Sequence, residues 1–276
     1  MERSIDRGID GSKSRSELAE ELSTIAVLVR RDCTRFVREK SRLVGALVQP
    51  LIFWIVIGSG MSSTFALEGA RNVGYMEYFF PGVALMVVLF TAIFTTMSVI
   101  EDRHSGFLQA VLVAPGSRAA VVLGKSLGAS TVALVQGSLF LLLAPLAGFN
   151  VLTIEWPLLL AALALSCFSL CALGFAVAWW LDSTAGYHVV MSLVLLPMWI
   201  LSGAMFPAPG QGAMGWVLRL NPMSYAVSLV RRALYGGVLP HGTGIVGSSA
   251  LLELTVLGIF ASLAAGAGLT MCYRRR

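Results

Sequence analysis

Long apolar runs without a charged residue dominate the hydrophobic pattern of this chain. Six of them are 20 residues or longer: Leu43–Leu67, Tyr78–Ile100, Ser126–Ile154, Trp156–Leu181, Ser183–Leu218 and Leu254–Tyr273. A helix needs about 20 apolar residues to cross a hydrocarbon core of about 30 Å. The pattern therefore predicts an all-α polytopic membrane fold with six transmembrane helices, at about 43–62, 79–100, 121–146, 157–181, 186–206 and 251–272.

A seventh charge-free stretch, Ala233–Leu252, is a poor candidate for a span. It contains five glycines and one proline, and so many helix breakers would leave backbone groups without partners in lipid. We predict that this stretch is mostly loop, within an outer segment covering residues 207–249.

An amphipathic helix is predicted over residues 17–40, after a flexible N-terminal tail at 1–16. Ser14 and Glu17 have the spacing of a capping box. The apolar residues recur at helical intervals, and arginines crowd the other side: Leu18, Leu22, Ile25, Val29, Cys33 and Phe36 against Arg30, Arg31, Arg35 and Arg38. Such a helix lies in a membrane interface with its arginines toward headgroups. A short soluble helix packed on a partner is the alternative interpretation.

Composition and charge agree with the membrane prediction. Of the 276 residues, 57% are hydrophobic and 13% are charged, with a mean hydropathy of +0.79, whereas soluble domains carry about 25% charged residues. With six spans, 16 of the 20 Lys and Arg residues fall on the side of the two termini. Loops rich in Lys and Arg stay cytoplasmic, so we expect both termini inside the cell and the protein in the inner membrane. The net charge of +5 then reflects topology and contact with anionic lipid. We do not expect nucleic-acid binding, because the sequence shows no folded basic domain.

Few side chains suggest chemistry. The four cysteines, Cys33, Cys167, Cys171 and Cys272, fall in predicted spans or on the cytoplasmic side, so we expect neither a disulfide framework nor, without nearby His or carboxylate ligands, a metal site.

Polar residues interrupt two spans. Gln49 precedes Pro50 in the first span, near Phe53 and Trp54, so these side chains either line a substrate path or mark a tolerated kink. Glu253 begins the last span, where it either reaches the interface or pairs with Arg231 or Arg232. We take Glu253 and Arg231 as the candidate outer charge pair.

A charged and half-apolar stretch at residues 101–113 separates the second span from the third. Four polar or charged residues, 101–104, come first, and apolar residues then occupy one helix face: Phe107, Leu108, Val111 and Leu112. Pro115-Gly116 ends the pattern, and Ser117 is placed to cap the next helix. The pattern predicts a short amphipathic helix that either lies on the membrane or contacts a soluble partner.

Three passages together resemble ABC-2 type transporter permeases, the membrane subunits of ABC exporters of the multidrug and lipo-oligosaccharide kind. The first is "EDRHSGFLQAVLVAPGSRAAVVLGK" at 101–125, the second "LSGAMFP" at 201–207, and the third "LNPMSYAVSLVRRALYG" at 220–236. Asp102 and Gly116 depart from the family pattern, which commonly has arginine and valine there. The resemblance covers residues 17–276, with 41–276 as the transmembrane domain.

The resemblance implies roles for the unusual segments. Residues 101–113 would be a coupling helix that contacts a cytoplasmic ATPase subunit, and residues 17–40 a connecting helix beside it. The coupling contact would involve Glu101, Arg103, Gly106, Phe107, Leu108, Val111, Leu112 and Pro115. The outer segment would form re-entrant helices carrying Asn221, Pro222, Tyr225 and Arg231. Two permease chains, a homodimer or a heterodimer, and two ATPase chains would make the transporter.

No nucleotide-binding motif supports ATP hydrolysis by this chain itself. Gly124-Lys125-Ser126 lacks the first glycine of a phosphate-binding loop, since Ala119 stands there. We therefore expect Mg-ATP on the partner, no cofactor or catalytic residue on this chain, and no enzyme activity. The expected function is export of a hydrophobic or amphipathic substrate: a drug, a lipid or a lipid-linked glycan. A self-contained secondary transporter or channel is the alternative, and a membrane-embedded enzyme is disfavoured because His104, His188 and His241 lie far apart.

Overall fold

A computed structural model describes residues 2–62, 73–113, 117–207, 212–239, 245 and 248–274, and this part of the chain is helical without strands. The helices are α1 (Glu2–Arg38), α2 (Lys40–Met61), α3 (Tyr75–Thr96), α4 (Ser98–His104), α5 (Phe107–Val113), α6 (Arg118–Leu141), α7 (Trp156–Trp180), α8 (Thr184–Ile200), α9 (Gly212–Leu220), α10 (Pro222–Leu234) and α11 (Ala250–Arg274). A 3-10 turn, Ala144–Ala147, follows α6.

Five helices in the described residues are long and apolar enough to span a membrane: α2, α3 continued by α4, α6, α7 and α11. The fifth predicted span corresponds to α8, which has 17 residues and is therefore about 26 Å long. It ends at Ile200, and Gly203 takes a φ of 75° in the turn that follows. The all-helical fold is confirmed, whereas the count of six spans is not.

Helix α3 is the centre of the bundle. It packs against α2, α6, α7, α8 and α10, and 18 of its 22 residues are buried. Trp54 of α2 and Phe140 of α6 meet Phe80 of α3, with ring centroids 5.4 and 5.0 Å apart respectively. A helix apolar on all sides is expected to be buried, which explains why this span is enclosed by the others.

Helix α1 packs along the first half of α6. Two glycines of α6 permit the close approach, because a Cβ on Gly124 would lie 2.8 Å from Leu28 and one on Gly128 would lie 3.2 Å from Asp32. Small residues four apart allow helix backbones to come together. The helix begins at Glu2 rather than at residue 17, so it includes the residues predicted as a separate tail; their flexibility stays a prediction.

The outer segment contains two short helices, α9 and α10, before α11. Asn221 caps α10 by accepting a hydrogen bond from the Met223 amide at 3.0 Å, and Pro222 occupies the first turn, where its missing N–H costs nothing. The cap predicted at Ser117 is also confirmed, since its hydroxyl accepts from the Ala120 amide at 3.1 Å. The described residues of the seventh charge-free run form the end of α10, a turn and the start of α11 rather than a span, and residues 240–244 and 246–247 lie outside the described residues.

Candidate coupling site

The segment between the second and third spans is a helical hairpin and not one helix. Helices α4 and α5 are separated by Ser105 and Gly106, and Gly106 has a φ of 76°. A side chain at such a φ is strained, so glycine is the residue that permits the turn. The single helix predicted over 101–113 is therefore corrected: a left-handed glycine folds it into two short helices, which we call the coupling hairpin.

The coupling hairpin is a direct extension of the central helix. Only Met97 separates α3 from α4, and it keeps helical backbone angles. The amide of Glu101 still bonds to the carbonyl of Met97. Tyr75–His104 thus forms a rod of 30 residues, about 45 Å long, which is about 15 Å longer than a hydrocarbon core. The rod places the coupling hairpin beyond one end of the bundle.

Ion pairs tie one side of the hairpin to α1. Arg31 donates two hydrogen bonds to the Asp102 carboxylate, from Nη1 to Oδ2 and from Nη2 to Oδ1, each 2.7 Å long. Arg35 also donates to Asp102, at 3.2 Å, and pairs with Glu101. This bidentate geometry is the strong form of a charge-assisted hydrogen bond, and the Asp102 bonds raise the pKa of Arg31 above its ordinary value.

Lys125 of α6 completes this cluster inside the protein. Its ammonium donates to Oδ1 of Asp32 at 2.8 Å and also pairs with Asp102. The exposed fractions of the Lys125, Asp102 and Asp32 side chains are 1%, 2% and 9%. Burial raises the pKa of Asp32, although Lys125 opposes the rise. We call Asp32, Asp102 and Lys125, with Arg31 and Arg35, the charge cluster; it joins α1, α4 and α6.

Arg103 ties the other side of the hairpin to the turn between α7 and α8. Its Nη1 donates to the carbonyl of Trp179 at 2.9 Å, and its Nη2 donates to the carbonyl of Leu181 and lies 3.1 Å from Asp182. These carbonyls belong to the C-terminal end of α7, where helices leave carbonyls unpaired and favour cations. Arg103 was predicted as a contact for a partner, and the structure gives it partners within the chain.

The apolar residues of the hairpin also face the protein. The Phe107 ring lies 3.7 Å below the Arg31 guanidinium, Leu108 is 1% exposed, and Val111 is half-buried. The outward surface consists of other residues: His104, Ser105, Gln109, Ala110 and Val113. The side chain of Leu112 and all of Pro115, both predicted contacts, lie outside the described part of the structure.

The sequence analysis missed the charge cluster. Asp102 was noted only as a departure from a family pattern, Lys125 was considered as part of an incomplete phosphate-binding loop, and Asp32 was not singled out. A usable signal was present, since Lys125 lies in an apolar helix and an isolated charge there needs a partner of opposite sign. The partner is 93 residues away in sequence, and spacing alone does not identify it.

A second group of buried charges lies at the other end of α3. The Arg231 guanidinium lies 4.3 Å from the Tyr78 ring centroid and donates to the carbonyl of Gly203 at 3.2 Å, and the Tyr78 hydroxyl donates to the same carbonyl at 2.6 Å. These contacts fasten α10 to α3 and to the turn after α8. Tyr225 donates to the carbonyl of Arg219 at 2.8 Å, which joins α10 to α9.

Glu253 pairs with Arg232 rather than with Arg231. Its Oε1 lies 3.2 Å from Nη2 of Arg232 and accepts from Ser228 at 2.5 Å and Ser248 at 2.7 Å. The predicted Glu253–Arg231 pair is therefore corrected. Neighbouring positions on a helix point about 100° apart, and here Arg231 faces α3 while Arg232 faces α11.

The three residues proposed for a substrate path separate in the structure. Gln49 and Phe53 lie one turn apart on an exposed flank of α2, whereas Trp54 is 5% exposed and donates its indole N–H to the carbonyl of Met76 at 3.0 Å. Trp54 thus belongs to the core of the subunit. Among the described residues no group of three or more His, Cys, Asp or Glu side chains is placed to hold a metal ion.

Comparison with known proteins agrees with this geometry. The model of the ABC-2 type transporter family matches residues 23–235. The chain is 25% identical over 247 residues to "Putative transport permease ycf38" of Cyanophora paradoxa, covering 86% of this chain and 81% of that protein. It is 27% identical over 230 residues to "Nodulation protein J" of Neorhizobium galegae, covering 80% and 84% respectively.

The matched region includes the coupling hairpin, the charge cluster and the helices α9 and α10. The apolar helices indicate a membrane protein. The family match indicates a transport function. Members of this family typically pair with an ATPase subunit. The extent of the match, over most of the length of both the chain and its relatives, identifies the chain as a member of the ABC-2 type transporter family of permeases.

Proposed function

We propose that this chain is the membrane subunit of an ATP-driven exporter, and that the coupling hairpin docks a separate subunit that binds and hydrolyses Mg-ATP. One observation carries the proposal. The hairpin continues α3, is held by ion pairs to α1 and α6 on one side and to the α7–α8 turn on the other, and leaves a side uncovered at Gln109, Ala110 and Val113. On this proposal the chain holds no cofactor and no catalytic residue.

The ion pairs and hydrogen bonds between the hairpin and the neighbouring helices would transmit the proposed movement to the spans. Closure of the ATPase subunits displaces the hairpin, Asp102 carries α6 with it through Lys125, and Arg103 carries the α7–α8 turn. Buried ion pairs and packed helices move as units because interiors have few alternative packings. The inner ends of the second to fifth spans then shift together, and the substrate path opens toward the outside.

The proposed roles of the hairpin residues follow from their exposure. Phe107, Leu108 and Val111 position α5 on the body of the protein, and Gly106 permits the turn. Glu101 and Arg103 orient the hairpin through their pairs with Arg35 and the end of α7. Contacts with the ATPase are made by exposed residues: His104, Gln109, Ala110 and Val113, together with the predicted contacts Leu112 and Pro115.

The substrate path lies between two copies of the membrane subunit, as a homodimer or as a heterodimer with a related chain. Gln49 and Phe53 on the exposed flank of α2 would face it. A largely apolar flank with one amide suits a hydrophobic or amphipathic substrate: a drug, a lipid or a lipid-linked glycan. Both termini are cytoplasmic in the inner membrane, α8 is the fifth of six spans, and α9 and α10 re-enter the outer leaflet.

The test compares aspartate substitutions at one exposed valine and one exposed leucine of the purified full chain. Val113 on the hairpin and Leu152 in the loop after α6 are 88% and 92% exposed, so Val113→Asp and Leu152→Asp introduce the same charge at similar exposure. We expect Val113→Asp to abolish co-purification of MgATP-hydrolysing activity and ATP-dependent transport in vesicles, while Leu152→Asp retains both.

Two results would contradict the proposal. One is equal ATPase co-purification by the two variants, which would remove the docking role of the hairpin. The other is accumulation of substrate against a gradient by the chain alone in proteoliposomes, which would instead support a self-contained secondary transporter.

A further inference from the structure

Helix α8 is attached to the rest of the protein along one stripe of side chains. Its four buried residues recur at every fourth position and therefore share one face of the helix: Tyr187, Met191, Leu195 and Trp199. On the other side, Val189, Leu193 and Ile200 are 64%, 73% and 45% exposed. The first and the last residue of the stripe carry polar atoms, and both of them contact α3.

The first contact joins the N-terminal end of α8 to the C-terminal end of α3. The Tyr187 hydroxyl lies 2.5 Å from the Thr96 hydroxyl. Because Thr96 donates its own hydrogen to the carbonyl of Ala92, Tyr187 is the donor in this bond. Gly174 of α7 leaves the space for the two hydroxyls, since a Cβ there would lie 2.5 Å from Oγ1 of Thr96. We call the bond between Tyr187 and Thr96 the first joint.

The second contact joins the C-terminal end of α8 to the N-terminal half of α3. Trp199 donates its indole N–H to the carbonyl of Gly82 at 2.7 Å. In the opposite direction, the Tyr78 hydroxyl of α3 donates to the carbonyl of Gly203, in the turn after α8, at 2.6 Å. The backbones approach closely here, because a Cβ on Gly82 would lie 2.7 Å from the Cβ of Ala204. We call these two hydrogen bonds the second joint.

Two joints restrict α8 more than one joint would. Thr96 and Gly82 are 14 residues apart in α3, which separates the joints by about 21 Å along the helix. A helix that is bonded at one end can pivot about that end, whereas bonds at both ends remove the pivot. Met191 and Leu195 lie between the joints and are each 0% exposed, so separation of α3 from α8 would also break their packing.

We propose that α3 and α8 move as one unit during transport, and that Tyr187 and Trp199 are the positioning residues that hold α8 to α3. The coupling hairpin continues α3, so its displacement reaches α8 through the two joints. The substrate path therefore does not open between α3 and α8 of one subunit. This inference deepens the proposed function and rests on it for the movement, whereas the joints themselves need no nucleotide.

The test measures the rate at which N-ethylmaleimide labels a cysteine placed between the joints. Met191→Cys reports on a water-filled gap between α3 and α8, and Leu152→Cys, at a position that is 92% exposed, gives the rate at full access. Both are made in a Cys33→Ser chain, because Cys33 is half-buried and the other three cysteines are buried. The full chain with its co-purified ATPase subunit is labelled in proteoliposomes, and ATP-dependent transport is measured in the same preparation. We expect MgATP to leave the slow labelling of Met191→Cys unchanged.

A second comparison tests the first joint without nucleotide. Tyr187→Phe removes the donor hydroxyl and keeps the ring, and Tyr273→Phe, at a position that is 58% exposed, is the matched control. A hydrogen bond contributes about 1 kcal/mol, which is about fivefold in a population. We therefore expect Tyr187→Phe to speed the labelling of Met191→Cys about fivefold and Tyr273→Phe to leave it unchanged. Thr96→Val should match Tyr187→Phe, and the two together should add nothing because they remove the same bond.

Three results would overturn the inference. MgATP could raise the labelling of Met191→Cys toward the rate of Leu152→Cys, which would show that α3 and α8 separate during transport. Tyr187→Phe could be labelled no faster than Tyr273→Phe, or its combination with Thr96→Val could be labelled faster than either alone; both results would remove the first joint. If MgATP drives no transport by the Cys33→Ser chain or by the unmodified chain, the proposed function fails, and the comparison without nucleotide still decides whether the joint holds α8.

Discussion

The charge cluster gives a quantitative prediction for Lys125→Met, which removes the ammonium and keeps most of the side-chain volume. Asp102 retains Arg31 and Arg35 in this variant, whereas Asp32 keeps a single cation among the described residues, Arg31 at 3.6 Å. Removing one partner of a buried ion pair costs about 3–5 kcal/mol because the other charge is left uncompensated.

The lower end of that range applies here for two reasons. Asp32 is the one carboxylate that loses its close cation, because Asp102 keeps two arginines. A cavity of about 20 Å³ beside Asp32 is also large enough to admit one water molecule that would solvate the carboxylate. We therefore expect Lys125→Met to lower the free energy of unfolding by about 3 kcal/mol. Asp32→Asn in the same chain removes the orphaned charge, so the double variant should recover about 2 kcal/mol of this loss.

The assay is reversible unfolding of the purified full chain in mixed micelles with increasing dodecyl sulfate, followed by circular dichroism. Glu39→Gln is the control, since it breaks an ion pair with Arg35 whose side chains are each 30% exposed, and such pairs contribute about 0.3–0.5 kcal/mol. The reasoning is refuted if Lys125→Met costs no more than Glu39→Gln, or if the double variant is as unstable as Lys125→Met alone.

Three further substitutions test the fold, with Gly45→Ala as the shared control because nothing lies within 4 Å of a Cβ at Gly45. Gly106→Ala strains a residue with a φ of 76° and should cost about 1–2 kcal/mol in the same unfolding assay, together with loss of ATP-coupled transport. Gly82→Ala places a Cβ 2.7 Å from the Cβ of Ala204 and should cost about 1–3 kcal/mol; unchanged stability would mean that this contact relaxes freely. Arg231→Lys loses a guanidinium that lies over an aromatic ring and bonds to a backbone carbonyl, so its unfolding free energy should fall by about 2 kcal/mol.

The sequence predicts most helix boundaries because they depend on local chemistry. The fourth span was placed at 157–181, and α7 covers Trp156–Trp180, since Pro157 marks the first turn and Asp182 ends the apolar run. The cap at Ser117 was predicted for the same reason, because a hydroxyl oxygen can accept a hydrogen bond from a backbone amide two or three residues further along.

Features that depend on how helices are rotated against one another were not predictable in this way. Arg231 and Arg232 are equally plausible partners for Glu253 in the sequence, and only the orientation of α10 decides between them. Asp102 and Arg103 are adjacent in the same manner, and the structure sends one toward α6 and the other toward the end of α7. The turn at Gly106 was missed because the charged residues before it and the apolar residues after it fit one continuous amphipathic helix.

The position of the two buried charge groups has a consequence for how the ends of the bundle communicate. One group holds the extension of α3 into α4 through Asp102, and the other holds the opposite end of α3, where Tyr78 contacts Arg231 and Gly203. Between these two ends of α3, the Thr91 hydroxyl donates a hydrogen bond to the side chain of Gln136 in α6, 2.5 Å long. A buried helix fixed by charges at its two ends and by packing along its length shifts or rotates as one rod. Displacement of the coupling hairpin therefore has to be matched by a rearrangement at α10, which places the outer helices and the hairpin under a common constraint.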